Sequence, residues 1–156
     1  MKKKKVFFIS SSGGHFTQLL QMSPLMDKYE SLIVTEKNDV VLSLKDKLNI
    51  KFLVYCTRKR PFSFPFLFIY NCFLSLFYLL KFSPKYIITT GAGTAIPMCY
   101  LGKIFGKKII YIESFARRDS KSLSGKIIYP ISNLFIVQWE EMLKFYPKAK
   151  YFGSIY

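Results

Sequence analysis

The sequence predicts an α/β domain with a doubly wound parallel sheet, and three observations predict it. Short apolar runs alternate with helix-length segments along all 156 residues. Runs such as Ile109-Ile110-Tyr111-Ile112 and Leu134-Phe135-Ile136-Val137 are continuously apolar, as strands covered on both faces are. Two of the apolar runs end in small-residue turns, at the sheet edge where open parallel sheets bind ligands.

The elements follow in order. A lysine-rich start leads into a strand over 5–10. Its apolar run, Val6-Phe7-Phe8-Ile9, is too short for a signal-peptide core and reads as a buried strand. Ser10-Ser11-Ser12-Gly13-Gly14-His15 turns it into a helix over 15–29. Strand 31–35, helix 38–48 and strand 51–55 come next, then a helix over 64–81. Strand 85–90 runs into Thr89-Thr90-Gly91-Ala92-Gly93-Thr94, which opens a helix over 94–105 with Pro97 in its first turn. Strand 107–112, helix 122–131, strand 134–138 and helix 139–146 complete the pattern. Joined by right-handed crossovers, these make one Rossmann-like domain over residues 1–156.

Composition narrows the classes of function. With 51% hydrophobic and 18% aromatic residues, the chain is too apolar to remain disordered. Its net charge of +15, from 24 Lys and Arg against 9 Asp and Glu, points to a polyanionic partner. Much of that charge flanks apolar aromatic segments, which favours an anionic membrane surface. Cys56, Cys72 and Cys99 have no CxxC spacing and suggest neither a disulfide framework nor a zinc site. The lone histidine and the absence of an Asp-x-Asp motif predict no metal. No GxGxxG, Walker A loop or G-x-S-x-G elbow is present, and no cofactor is expected.

Pro61–Leu80 has twenty residues without a charge, bracketed by Arg58-Lys59-Arg60 and Lys81. A transmembrane helix needs about 20 apolar residues, but a span here would put the two glycine turns on opposite sides of a membrane. A core helix is the second reading. The preferred one is a sheet-packed helix near 64–81 whose outer aromatic face dips into a lipid interface.

The candidate site residues lie in three segments. Gly13 and Gly14 permit close backbone approach to a phosphate, with Ser12 beside them. His15 falls at a helix start, where the dipole favours a neutral imidazole suited to a general base; the alternative is a histidine that merely packs there. Gly91, Gly93 and Thr94 form the second turn, with Thr94 also readable as a plain N-cap. Glu113 ends a buried strand, so its carboxylate is expected to meet an arginine or serve the crevice. Arg117 and Arg118 could grip a pyrophosphate by paired N–H donors; the alternative for each is a solvated basic loop.

Taken in order, SSGGH, TGAGTAIP, IESFARRDSKSLSGKIIYP and LFIVQWEEMLKFYPKAKYFGSIY resemble the membrane-associated, acceptor-side subunit of two-chain UDP-sugar glycosyltransferases. That family includes the membrane subunit of dolichol-linked chitobiose synthesis and bacterial enhancer chains of capsular and exopolysaccharide galactosyltransferases. It is in turn similar to the N-terminal half of a type-B glycosyltransferase. The resemblance implies a non-autonomous subunit at the cytoplasmic face of the membrane. It would dock a catalytic chain carrying the nucleotide-sugar site and present a polyprenyl-pyrophosphate-linked sugar, with β-1,4-galactosyl transfer as the expected reaction. His15 is then the base, with Ser12, Gly13, Gly14, Gly91, Gly93, Thr94, Glu113, Arg117 and Arg118 on the acceptor and its phosphates. Several relatives carry an acidic residue shortly after the Gly-Gly-His turn, where the nearby residue here is Gln18, which weakens the carry-over of a carboxylate role. The eukaryotic form carries an N-terminal membrane helix that this sequence lacks, leaving 61–80 to dock. Tyr146–Tyr156 reads as a partner-docking element or a last edge strand.

Three other classes compete, a stand-alone metabolic enzyme ranking last. A scaffold subunit would leave all catalytic groups on the partner. A nucleic-acid-binding module would need aromatics interleaved with Lys and Arg, whereas here they cluster in one uncharged block.

Overall fold

Alternate residues of the first strand serve two cores. Phe7 and Ile9 join one apolar cluster, and Val6 and Phe8 join another, because successive side chains leave a strand on opposite faces. The computed structural model describes residues 3–57 and 59–155. Its elements are β1 (Lys5–Ser10), α1 (Gly14–Leu20), α2 (Ser23–Lys28), β2 (Glu30–Glu36), α3 (Asp39–Ser43), β3 (Ile50–Leu53), α4 (Phe64–Phe82), β4 (Tyr86–Gly91), α5 (Ala95–Ile104), β5 (Lys108–Ile112), α6 (Leu123–Ile128), β6 (Leu134–Val137) and β7 (Lys150–Tyr151).

The strands form one sheet in the order β3-β2-β1-β4-β5-β6-β7, parallel at every pairing. This is the Rossmann-like α/β arrangement, and its strand order reverses between β1 and β4, where such sheets bind ligands. One face carries α4, α5 and α6 over Phe7, Ile9, Val34, Ile87, Ile109 and Tyr111. The other packs Phe16, Leu19 and Met26 of α1 and α2 and Val41 of α3 against Phe8, Ile33 and Ile88.

The helices expected over 15–29 and 139–146 are built differently. The helix anticipated over 15–29 is two helices, α1 and α2, with Pro24 in the first turn of α2. Proline lacks an N–H and its ring collides with the carbonyl four residues back, so α1 stops at Leu20. The segment 139–146 is a short 3₁₀ helix over Glu140–Lys144, ended before Pro147, since a residue preceding proline leaves helical geometry. Lys150–Tyr151 pairs with β6 as an edge strand, one of the two expectations for the C-terminal segment. Arg58 and Tyr156 lie outside the described residues.

α4, which covers most of the apolar segment, is largely unburied. Only Asn71, Ser75 and Leu79 of its nineteen residues are buried, so it is not a core helix. It lies on the sheet: Phe82 stacks on Phe7 at 5.0 Å between ring centroids, and the Tyr78 hydroxyl donates to the Phe52 carbonyl at 3.1 Å. Asn71 brackets the end of β3, accepting from Val54 N at 2.9 Å and donating to Val54 O at 2.7 Å. Both glycine turns sit at one sheet edge, unlike the arrangement a span requires. The outward stripe is Phe66, Ile69, Tyr70, Phe73, Phe77 and Leu80, all exposed.

Candidate functional site

The two small-residue turns meet because β1 and β4 are neighbours. Ser11 N donates to Gly91 O at 2.9 Å, and Ser11 Oγ accepts from Ala92 N at 3.2 Å. Gly13 (φ 78°) and Gly91 (φ 91°) both adopt the left-handed region, which L side chains rarely occupy. At Gly91 a Cβ would also press on Ser124 Oγ and Tyr111 Oη, each 3.1 Å away. These glycines shape the turns from behind; Ser11, Ser12, Ala92, Gly93 and Thr94 form the surface of the cavity in front.

That cavity has a volume of about 690 Å³, within the range of small-molecule sites. Its polar wall holds Ser11, Ser12, His15, Glu36, Thr94 and Arg117. Phe64, Phe68, Ile96, Pro97, Leu123 and Ile127 form the apolar wall, the first two from the start of α4.

His15 is held at two points by Thr90 of the second turn. Its Nδ1 lies 2.7 Å from the Thr90 carbonyl, and Thr90 Oγ1 donates back to the His15 carbonyl at 2.7 Å. A carbonyl only accepts, so Nδ1 carries the proton and Nε2 is the basic nitrogen. This oriented imidazole lines the cavity, and in its neutral tautomer Nε2 is the nitrogen that can take a proton.

Glu36, at the end of β2, was not singled out from the sequence. It is buried, at 3% exposure, and lines the cavity. Its Oε2 accepts from Ser12 N at 3.1 Å and Ser12 Oγ at 2.9 Å; its Oε1 accepts from Thr94 Oγ1, and Ser11 Oγ donates to Thr94 Oγ1 at 3.3 Å. Two expectations change here. Thr94 occupies the N-cap position of α5 without a capping bond, because its hydroxyl goes to Glu36. Ser12 N–H, expected on a phosphate, is also directed at that carboxylate. The signal was present: Glu36 closes the apolar run Leu32-Ile33-Val34-Thr35, where a carboxylate needs dedicated donors.

Glu113 takes neither partner expected for it. Its Oε1 accepts from Ser114 N at 2.8 Å, and its Oε2 from Ser122 N, Ser122 Oγ and Tyr146 Oη at 3.3, 3.0 and 2.8 Å. It lies behind the cavity wall and ties the β5 edge to the start of α6, where Ser122 Oγ also caps Gly125 N. The two arginines separate. Arg117 lines the cavity, whereas Arg118 pairs with Glu141 at 3.0 Å and lies over the Trp139 ring at 4.9 Å, because Trp139 and Glu141 offer it a stacking face and a carboxylate. Gln18 faces inward, accepting from Gln138 Nε2 at 3.2 Å.

Cys56 also lines the cavity. Burial, then the Glu36 charge and Cys72, push its thiol above the ordinary value, so it stands as a neutral thiol and a weak nucleophile.

Comparison with known proteins connects this geometry to a family. Residues 57–155 match the family model described as oligosaccharide biosynthesis protein Alg14 like. The UDP-N-acetylglucosamine transferase subunit ALG14 of Yarrowia lipolytica is 30% identical, with 97% of this chain aligned to 81% of that protein. The human subunit of the same name is 28% identical over 96% and 82% of the two chains. The Candida albicans subunit reaches 44%, over 56% of this chain and 42% of that one. Among solved structures, Acinetobacter baumannii MurG superposes with TM-score 0.72 at 14% identity over 88% of this chain. UDP-N-acetylglucosamine 2-epimerase from Rickettsia bellii does so with TM-score 0.75 at 15% identity over 98%. These two likenesses are of fold, and the chain spans only 42% and 45% of those proteins.

Proposed function

The chain belongs to the family of Alg14-like oligosaccharide biosynthesis proteins, and from that premise we propose that it is the acceptor-side subunit of a two-chain UDP-sugar transferase. A separate catalytic chain carries the nucleotide-sugar site. The observation that carries this reading is the oriented His15 on a sugar-sized cavity at the strand-order reversal.

The reaction is an inverting single displacement. A hydroxyl of a polyprenyl-pyrophosphate-linked sugar attacks the anomeric carbon of the UDP-sugar, the bond to UDP breaks, and His15 Nε2 takes the hydroxyl proton. Held by Thr90, the imidazole does not have to reorient as the proton moves. Arg117 supplies cationic donors for the carrier's phosphates.

The aromatic stripe of α4 is the membrane-docking surface, at the cytoplasmic face. Six large apolar side chains, each worth about 1.5–3 kcal/mol when taken out of water, are exposed along one helix, with Lys59 and Arg60 before it and Lys81 and Lys85 at its far end. An aromatic face between basic flanks fits an anionic lipid interface. The nucleic-acid reading has no comparable support, because these rings form a continuous apolar stripe.

The relatives' names favour UDP-N-acetylglucosamine as the partner's donor over the UDP-galactose expected from the bacterial resemblance. The test is sugar transfer on membranes with lipid-linked acceptors, offering both donors to this chain, its partner and the pair. Turnover should need both chains and fall about a hundredfold or more in His15→Ala. Turnover that needs both chains but ignores His15 leaves a membrane-docking activator; turnover by the partner alone overturns the subunit reading.

A further inference from the structure

Two of the chain's nine carboxylates are buried, and they are used differently. Glu113 receives four hydrogen bonds and stands behind the cavity wall. Glu36 receives three and is part of the wall. A carboxylate offers about four acceptor positions; Oε2 of Glu36 has two donors from Ser12, and Oε1 has one from Thr94. One position on Oε1 is left for a ligand. The donors already on Glu36 belong to both turns, so the same carboxylate joins Ser12 and Thr94 into a single floor.

An anionic floor is the wrong lining for a phosphate and the right one for a hydroxyl. Ser12 N–H and the Thr94 hydroxyl, the groups a phosphate would need, are directed at Glu36 instead. Among the described residues the cavity's cation is Arg117, which lies beyond β5, whereas Glu36 ends β2. With β1 and β4 between them, three strand spacings separate the two strands, about 14 Å. Resting on the acceptor-site reading above, we propose that Glu36 sets the polarity of the acceptor. Its carboxylate accepts a hydroxyl of a neutral sugar ring bound over the β1 and β4 turns, close to His15, and the carrier's phosphates lie at the Arg117 end. Sites built to hydrogen-bond a substrate hydroxyl discriminate strongly, because their buried polar groups are left unpaired without it.

The experiment is calorimetric titration of the full chain with two probes, N-acetylglucosamine 1-phosphate and inorganic pyrophosphate. Glu36→Gln should weaken the sugar phosphate at least tenfold and leave pyrophosphate as tight or tighter, since a negative charge has gone. Arg117→Met should weaken pyrophosphate at least tenfold and the sugar phosphate by less, through its single phosphate. Glu36→Asp, which keeps the charge on a shorter arm, should give a smaller loss of the sugar phosphate and no gain for pyrophosphate, and it serves as the second variant if Glu36→Gln does not fold. Equal weakening of both probes by Glu36→Gln would reduce Glu36 to a brace between the turns and overturn the proposal. So would a sugar phosphate indifferent to Glu36. Wild-type chain that binds pyrophosphate alone overturns this inference only; wild-type chain that binds neither probe overturns the acceptor-site reading as well.

Discussion

α4 and α5 lie side by side on the same face of the sheet, yet they are built in opposite senses. α5 turns Ala95, Pro97, Met98, Cys99 and Gly102 inward, an apolar stripe on the core, as a helix in water does. α4 turns Asn71, Ser75 and Leu79 inward and sends Phe66, Phe73 and Phe77 out. Two of its three buried residues are polar, and Ser75 Oγ is buried without a partner. On the outside α5 leaves Tyr100, Lys103 and Ile104 exposed, whereas α4 leaves a continuous aromatic stripe. The difference teaches that α4 serves two surfaces: its first turns wall the cavity with Phe64 and Phe68, and its outer stripe faces away from the protein.

The sharpest way to break this comparison is to change the outer stripe. Phe66→Ser, Phe73→Ser and Phe77→Ser together should lower partitioning onto anionic vesicles about a hundredfold or more, from the apolar area lost. The thermal midpoint should hold or rise, because these rings contribute little to the core. Unchanged binding would remove the lipid role of α4. Met98→Ala in α5 should do the opposite. Its side chain is fully buried, so the cavity costs about 2–5 kcal/mol in urea unfolding, while vesicle binding by the folded protein stays as it was.

The inward polar face gives the next, smaller effect. Asn71→Leu keeps side-chain bulk but strands Val54 N–H and C=O, which Asn71 now pairs. Val54 is partly exposed, so water can take up its freed groups and the loss is about 1 kcal/mol or less; Phe64 and Phe68 should loosen with the end of β3. Hydrogen exchange at Val54 that rises ahead of global unfolding would confirm the local character of the loss.

Much of this was legible beforehand. Strands β1, β2, β4, β5 and β6 came from continuous apolar runs, which parallel pairing between two helical layers demands. The meeting of the SSGGH and GAGT turns followed from placing both at one sheet edge. What escaped was whatever depended on neighbours distant in sequence. Glu36 is a single acidic residue at a strand end, and nothing local says that Ser12 and Thr94 will converge on it. Glu113 attracted attention beside Arg117 and Arg118, but its partner Tyr146 is 33 residues away. Within α4, Asn71 and Ser75 stand four apart in an uncharged block. That spacing marks one helix face, and it was the available sign that the inward side is the polar one.

The finest contrast between the two helices lies in their thiols. Cys99 of α5 is fully buried, and burial pushes its pKa up to about 12; Cys72 of α4 is partly exposed and raised less. A thiol reagent at pH 8 should therefore modify Cys72 in the native protein and reach Cys99 only through unfolding. The same burial has a stability signature. Above the ordinary thiol value of 9.0, the unfolded chain gives up the Cys99 proton while the folded chain keeps it. The unfolded state then binds fewer protons, and stability falls as pH rises from 9.0 toward about 12. Tyr111 and Tyr146, both raised chiefly by burial and next by the Glu113 charge, add losses of the same sign above 10.0. Cys99→Val should flatten the first part of that decline and leave the tyrosine part intact, measured as urea midpoints between pH 8 and 11. An equal flattening by Cys72→Val would mean that α4 is as closely packed as α5, and the contrast between the two helices would fail.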